Sequence, residues 1–308
     1  MALPSFIVAG TVRGATTSLH YYLEQHPSIG MSAFKEPNFF LFDASAQPYV
    51  NDRSIVTKSV AKRDDYEGLF AGVSSKPAIG EASPLYLYTR ETPVRIAEVI
   101  PAAKIVAVLR EPISRAWSHF LHLYRGSGDV AVENFRAAIE PELAKAGVYE
   151  PYAAGHHYLR IGRYAEQIER YHAAFGADRV LALDYDDVQR DLAEVLREVC
   201  SFLSVDADFP FDVHTVYNRS GVVRNPVFGR VQMVASRIQP YAKRALPRTV
   251  VRRVGRARAR FEQRTFQQAT PLPADLKAQL RDWYADDLRR LSGLLDRDLT
   301  HWQRNLRQ

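Results

Sequence analysis

Apolar positions in this 308-residue chain fall into short solid runs, separated by stretches where they recur every three or four residues. Phe6 to Ala9 is one such run, Lys104 to Leu109 (KIVAVL) is a second, and Arg179 to Leu183 is a third. Short apolar runs without polar alternation predict strands buried on both faces, as in a parallel sheet. Behind the first run, Thr16 or Thr17 is placed to cap a helix with the apolar stripe Leu19, Tyr22 and Leu23, and His26-Pro27 ends it. Behind the second, Arg110 closes the strand and Pro112 suits a first helical turn. Ile113, Trp117, Phe120 and Tyr124 then recur at helical spacing. The third strand is followed by a helix through roughly Phe202. The last helix starts near Ala274, with Leu276, Leu280, Tyr284, Leu288 and Leu291 as its buried stripe. Strands alternating with helices predict an α/β fold: a parallel β-sheet flanked by helices on both faces. No internal repeat or low-complexity linker divides the chain, which reads as a single domain over residues 1–308.

Composition adds bounds. The chain is 46% hydrophobic and 25% charged, ordinary for a soluble globular protein. Cys200 is the one cysteine, so no intrachain disulfide can form and nothing points to an oxidising compartment. The nine histidines show no metal-ligand spacing with cysteine or carboxylates, and no metal is expected. The apolar start, Met1 to Gly10, is too short to span a bilayer and has no basic region before it. No signal peptide or anchor is expected, and the expected location is cytoplasmic.

Charge changes the picture in one place. The net charge is +6, yet Arg219 to Arg264 alone holds thirteen Lys and Arg against Glu262. Phe228, Val231, Val234, Ile238 and Tyr241 are spaced as on a helix, and Pro247 interrupts. Residues 219–270 therefore read as a basic helical insertion or lid within the domain. Three readings stand: a solvated face, an anion site, or peripheral contact with an anionic membrane or polymer. No nucleic-acid-binding motif accompanies the charge, so nucleic acid is not an expected partner.

The segment Gly10-Thr11-Val12-Arg13-Gly14-Ala15-Thr16-Thr17-Ser18-Leu19 lies between the first strand and its helix. A phosphate suits such a place, where free backbone N–H groups and the helix dipole converge and hydroxyls add donors. The alternative is a plain strand–turn–helix connection with a threonine cap. The segment is not a Walker A loop, which ends in Gly-Lys-Ser/Thr; here the cation, Arg13, precedes the small residues. The loop suits an anion handled without a metal, and a P-loop nucleotide kinase is the disfavoured enzyme reading.

Arg13 to Leu19 resembles the 5′-phosphosulfate loop of sulfotransferases that use 3′-phosphoadenosine-5′-phosphosulfate (PAPS). Ala15 stands where that loop commonly has glycine; a methyl is tolerated there if the local φ is negative. A second motif, Val108-Leu109-Arg110-Glu111-Pro112 through Ser118, is similar to the family's 3′-phosphate motif. Its strand-end guanidinium and nearby hydroxyl could together grip a phosphate. Taken alone, the segment reads as an Arg–Glu surface pair with an exposed serine. Lys35-Glu36-Pro37-Asn38-Phe39-Phe40 and Glu81-Ala82-Ser83-Pro84-Leu85-Tyr86 resemble segments of the heparan sulfate N- and O-sulfotransferase branch and its bacterial relatives. So does Tyr185-Asp186-Asp187-Val188. Asn218-Arg219-Ser220, with Arg224 following, resembles the late nucleotide-binding loop, and Asp296 to Trp302 the C-terminal ending.

The resemblance implies a P-loop-like fold and PAPS as co-substrate, with adenosine 3′,5′-bisphosphate (PAP) as product. It implies a nucleotide site of Arg13, Gly14, Ala15, Thr16, Thr17, Ser18, Arg110, Ser118, Tyr185 (near the adenine) and Arg224. Sulfuryl transfer is an in-line displacement in which positioning and electrostatics supply most of the catalysis. Arg13 is placed to stabilise the leaving phosphate. Glu36 matches the branch's general base, although a turn carboxylate paired with Lys35 is what the two residues suggest alone. Glu81 is the alternative base, Lys35 a residue that orients the acceptor, and His20 a weaker candidate. The implied acceptor is a carbohydrate, glycolipid or other small molecule, sulfated at a hydroxyl or, as the second reading, at an amine.

Overall fold

The chain is described by a computed structural model that covers residues 2–123, 132–145, 149–152, 157–213, 222–223, 266–267 and 271–304. Its centre is a five-stranded sheet: β1 (Phe6–Gly10), β2 (Ile29–Met31), β3 (Ala78–Ala82), β4 (Lys104–Leu109) and β5 (Val180–Asp184). The strands run parallel in the order β2-β3-β1-β4-β5. Two further strands, β6 (Val222–Val223) and β7 (Phe266–Gln267), pair antiparallel away from it.

The three expected strands are β1, β4 and β5, the last starting one residue later than its apolar run. The two others escaped because β2 is only three residues long and β3, Ala-Ile-Gly-Glu-Ala, carries a glycine and a charge inside a buried strand. Side chains alternate between two cores. Ile7, Ala9, Ile105, Ala107 and Leu109 face one of them, and Phe6, Val8, Val106, Val108 and Leu183 face the other. Both faces are apolar because both are covered, which is the physical basis of uninterrupted apolar runs in parallel sheets.

The helices are α1 (Thr16–Leu23), α2 (Arg53–Val56), α3 (Arg63–Gly68), α4 (Thr92–Val99), α5 (Pro112–Leu123), α6 (Val132–Ala144), α7 (Tyr164–Phe175), α8 (Tyr185–Arg190), α9 (Leu192–Leu203), α10 (Ala274–Leu295) and α11 (Thr300–Arg304). Helices α1 and α9 supply the core on one face, and α4, α5, α7 and α10 the core on the other. The helix expected after the third strand is two helices. Asp184 caps α8 through the Asp186 amide, and Asp191 caps α9 through the Glu194 amide, with an extended turn at Asp191 between them. The stripe expected on the last helix is the one α10 buries, joined by Asp287. The chain end is fastened to the sheet at Asp184, which accepts from Trp302 Nε1 at 3.0 Å and meets His301 Nε2 at 2.7 Å.

No helix among the described residues is long and apolar enough to cross a membrane. Tyr124, Arg224 and nearly all of the basic stretch 219–270 lie outside the described residues.

Candidate functional site

Loops leaving the C-terminal ends of β1, β3, β4 and β5 meet at one edge of the sheet, where open α/β sheets place their ligands. The loop after β1 is pinned to β4: Thr11 N–H donates to the Val108 carbonyl at 2.9 Å, and Gly14 N–H to the Thr11 carbonyl at 2.9 Å. A Cβ on Gly14 would lie 2.5 Å from the Val108 carbonyl oxygen, so this position accepts no side chain. Arg13 and Ala15 both sit in the left-handed region, with φ of 69° and 63°. The negative φ that would make Ala15 harmless is therefore not what the loop adopts. Its methyl pays a steric cost, on the order of 1 kcal/mol, that glycine would not. The left-handed turn also moves the helix cap. Ala15, not Thr16 or Thr17, stands at the N-cap of α1, and no side chain caps the helix. Thr16 is buried within the first turn. Helix α1 thus opens on this loop without a polar N-cap side chain.

The second motif docks onto this loop. Arg13 Nε donates to Ser118 Oγ at 3.1 Å, across 105 residues of chain. Arg110 Nη1 donates to the Arg13 carbonyl at 3.2 Å, and its guanidinium lies 4.5 Å from the centre of the Tyr185 ring. Tyr164 Oη donates to the Arg110 carbonyl at 2.8 Å and fixes the end of β4. Ser118 is buried, so the reading of this segment as an exposed serine beside a surface pair does not hold. Glu111 is buried too. It accepts from the amides of Ile113 (2.7 Å) and Ser114 (2.6 Å) and so caps α5. Burial pushes the Glu111 carboxyl up, while those bonds and the Arg110 charge pull it back.

The carboxylates gather on the β3 side. Glu36 N–H donates to the Ala82 carbonyl at 3.0 Å, which seats the Lys35–Glu36 loop on the end of β3. Lys35 Nζ donates to Glu36 Oε1, so the expected pair forms, with the Glu36 side chain about half exposed at 48%. Glu36 and Asn38 are both left-handed, at φ 62° and 55°, on either side of Pro37. Such strain persists only where the surroundings over-determine it, and it clusters at functional sites.

Glu81 is what lies beneath. It is fully buried and accepts from three hydroxyls: Ser83 Oγ at 2.6 Å, Tyr86 Oη at 2.8 Å and Tyr66 Oη at 3.0 Å. Ser83 Oγ in turn accepts from the Asn38 amide at 3.2 Å, and Tyr86 Oη from the Phe40 amide at 3.2 Å. Burial pushes the Glu81 carboxyl up to about 7, against the pull of its hydroxyl donors and the Lys35 charge. Tyr66 carried no signal in the sequence. Ser83 and Tyr86 lay inside a quoted motif, but nothing in the spacing told that their hydroxyls serve Glu81. His20 is buried on α1, packed edge-on against Tyr21.

One histidine does meet carboxylates in space: donor atoms of Asp184, Asp186 and His301 lie within 4.8 Å of one another. Sequence spacing could not announce this, because the fold brings together positions 117 residues apart. Hydrogen bonds that fasten α11 and cap α8 account for the cluster.

A parallel sheet with an anion-suited loop after its first strand, bridged to an arginine and a serine after its fourth, defines a P-loop-like fold. The sequence profile of the Sulfotransferase family matches residues 4–209. The bifunctional heparan sulfate N-deacetylase/N-sulfotransferase 4 of Mus musculus is 28% identical over 225 residues, 68% of this chain and 23% of the relative. The heparan sulfate glucosamine 3-O-sulfotransferase 3B1 of Mus musculus is 26% identical over 218 residues, 71% of this chain and 50% of the relative. The chain therefore spans half or less of the length of these relatives. The crystal structure of a sulfotransferase from Alicyclobacillus acidocaldarius superposes with a TM-score of 0.69 at 28% identity, covering 98% of this chain and 100% of that one. The chain belongs to the sulfotransferase family and is a transferase.

Proposed function

We propose that the chain transfers a sulfuryl group from PAPS to a hydroxyl of a carbohydrate or other hydroxylated acceptor. The observation that supports this most is the bond between Arg13 and Ser118, which fuses two motifs into one cationic cradle at the N-terminus of α1. The residues fit a 3′,5′-bisphosphorylated nucleotide. Gly14 lets the loop pack closely on β4, α1 begins without a polar N-cap side chain, and the Arg110 guanidinium sits 4.5 Å from the Tyr185 ring centre. In this reading Arg13 and the α1 amides hold the 5′-phosphate end and offset the charge that grows on the leaving phosphate. Arg110 and Ser118 hold the 3′-phosphate, and Tyr185 borders the adenine.

Glu36 takes the acceptor proton, and Lys35 holds its carboxylate and orients the acceptor. Glu81 serves as a support. A carboxylate with no exposed surface and three hydroxyl donors is closed to an acceptor, but it orients Ser83 and Tyr86 toward the loop that bears Glu36. The acceptor class rests on the relatives, whose names place them on heparan sulfate.

Two experiments test the reading. Isothermal titration with PAP should show binding that survives EDTA, and binding lost with EDTA contradicts a metal-free site. Incubation with ³⁵S-labelled PAPS and a panel of saccharides should then label a hydroxylated acceptor. PAP bound without any sulfuryl transfer across that panel and across small phenols would leave a nucleotide-binding protein in its place.

A further inference from the structure

Helix α7 buries a stripe of Tyr164, Ile168, Tyr171 and Phe175 in the core that also holds Ile7, Ile105 and Leu109. Phe175 shows that the stripe accepts phenylalanine. A phenol adds a polar atom to such a stripe, and once buried its hydroxyl needs a partner. Both α7 hydroxyls find one on the main chain just beyond a strand. Tyr164 Oη donates to the carbonyl of Arg110, the residue that follows β4, at 2.8 Å. Tyr171 Oη donates to the carbonyl of Tyr86, in the short helical turn Pro84–Tyr86 after β3, also at 2.8 Å. Neither tyrosine has exposed surface. Burial raises both phenols, that of Tyr164 to about 12, so both stay protonated donors near neutral pH.

The two carbonyls lead to different halves of the site. A bond on the Arg110 carbonyl fixes the peptide plane on which the chain leaves β4, and with it the base of the Arg110 side chain. That side chain donates to the Arg13 carbonyl at 3.2 Å and lies 4.5 Å from the Tyr185 ring centre. Tyr86 points the other way: its Oη meets Glu81 at 2.8 Å and accepts from the Phe40 amide at 3.2 Å, in the loop that bears Glu36. The helix is itself held from its far side. Asp287 of α10 accepts from the Ala165 amide at 3.4 Å, and Gln167 Nε2 donates to the carbonyls of Arg163 (2.8 Å) and Ile161 (3.1 Å). Two helical turns, roughly 10 Å, separate Tyr164 from Tyr171.

We infer that Tyr164 and Tyr171 are positioning residues of the transfer site. One helix holds the nucleotide loop through Arg110 and the Glu36 loop through Tyr86, and so keeps the two halves in a common frame. The Tyr164 half rests on the PAPS reading given above, and the Tyr171 half on the hydrogen bonds alone.

Tyr164→Phe and Tyr171→Phe, made in the full chain, each remove one oxygen and keep the ring. Each loses one buried bond to a carbonyl, so both melting temperatures should fall by a similar amount. Two other readouts should part them. In isothermal titration Tyr164→Phe should bind PAP about three- to tenfold more weakly, the loss expected when one bond behind a charged contact is gone. Adenosine 5′-phosphosulfate, which lacks the 3′-phosphate, should be affected much less, and Tyr171→Phe should bind PAP as the wild type does. Hydrogen exchange at the Phe40 amide, whose acceptor is Tyr86 Oη, should run the opposite way. It should be about tenfold faster in Tyr171→Phe and unchanged in Tyr164→Phe. Variants that move both readouts alike, or neither, overturn the inference, because the hydroxyls would then serve the stability of α7 alone. Equal losses for the two nucleotides overturn the Tyr164 assignment. A wild-type chain that binds no PAP overturns the donor reading and the Tyr164 assignment with it, while the exchange comparison still decides Tyr171.

Discussion

The phosphate cradle and the carboxylate loop hang on the same edge of the same sheet, yet they are built on opposite plans. In the cradle the loop is closed onto the sheet by backbone bonds, and Arg13 and Arg110 are tied to a hydroxyl and to a loop carbonyl beside the start of α1. In the carboxylate loop the charge of Glu81 is inside, and its hydroxyl partners consume the backbone donors of the loop above. The difference follows from what each region has to do. A site that binds an anion gathers cations and a helix N-terminus around one place, whose charge the anion then offsets. A loop that positions a half-exposed base must have its own donors satisfied from below, or its left-handed residues would relax.

The sharpest way to break the comparison is to remove each region's charge and ask which property fails. Glu36→Gln keeps the shape of the outer carboxylate and should cost about 10²–10⁴-fold in turnover. PAP affinity and melting temperature should hold, as calorimetry can show. Near-normal turnover of this variant would move the base elsewhere, and Glu81→Gln in parallel identifies whether the inner carboxylate takes its place. Arg110→Ala acts on the other plan. It should weaken PAP by roughly 2–4 kcal/mol, since a desolvated charged contact is lost. Adenosine 5′-phosphosulfate, which lacks the 3′-phosphate, should lose much less, and equal losses would make Arg110 a structural residue.

Glu81→Gln sharpens the contrast through pH. The ordinary carboxyl value is 4.5 and the folded value is about 7, so between these the folded chain holds the extra proton. Stability contributed by that proton is fully present below the unfolded value, falls as pH rises toward 7, and is level above it. Asp287, which burial pushes up to about 6, acts in the same direction. The difference between wild type and Glu81→Gln in melting scans from pH 4.5 to 8 isolates Glu81. A difference that does not change with pH would mean the carboxyl titrates normally. The smallest effect belongs to the cradle. Ala15→Gly relieves a methyl at φ 63° and should stabilise the chain by up to about 1 kcal/mol in denaturant titration. A loss of stability instead would show that the methyl's contacts outweigh its strain.

Much of this was legible in the chain. The runs at Phe6, Lys104 and Arg179 mark the three adjacent strands β1, β4 and β5, because a strand buried on both faces has no use for polar positions. Arg13, Arg110, Ser118 and Tyr185 were named from local motifs, and tertiary contacts join them. Local order sufficed there because each motif is a strand end or helix start, where a few consecutive residues determine which groups face outward. The strand β3 escaped because Glu81 interrupts its apolar run, and a charge at that place reads as exposed.

The sequence by itself determined the sheet's central strands, the anion-suited loop and the family, since these depend on residues close in the chain or on motifs of set spacing. The tertiary structure alone decided that Arg13 reaches Ser118, that Ala15 carries a left-handed turn, and that Glu81 lies sealed beneath the Glu36 loop. It also decided that Arg90, Arg160, Arg163 and Arg170 line one surface pocket. The physical reason is that burial and pairing belong to the space between elements. A carboxylate's surroundings are set by which helices and loops fold over it, and that information is spread across the whole chain.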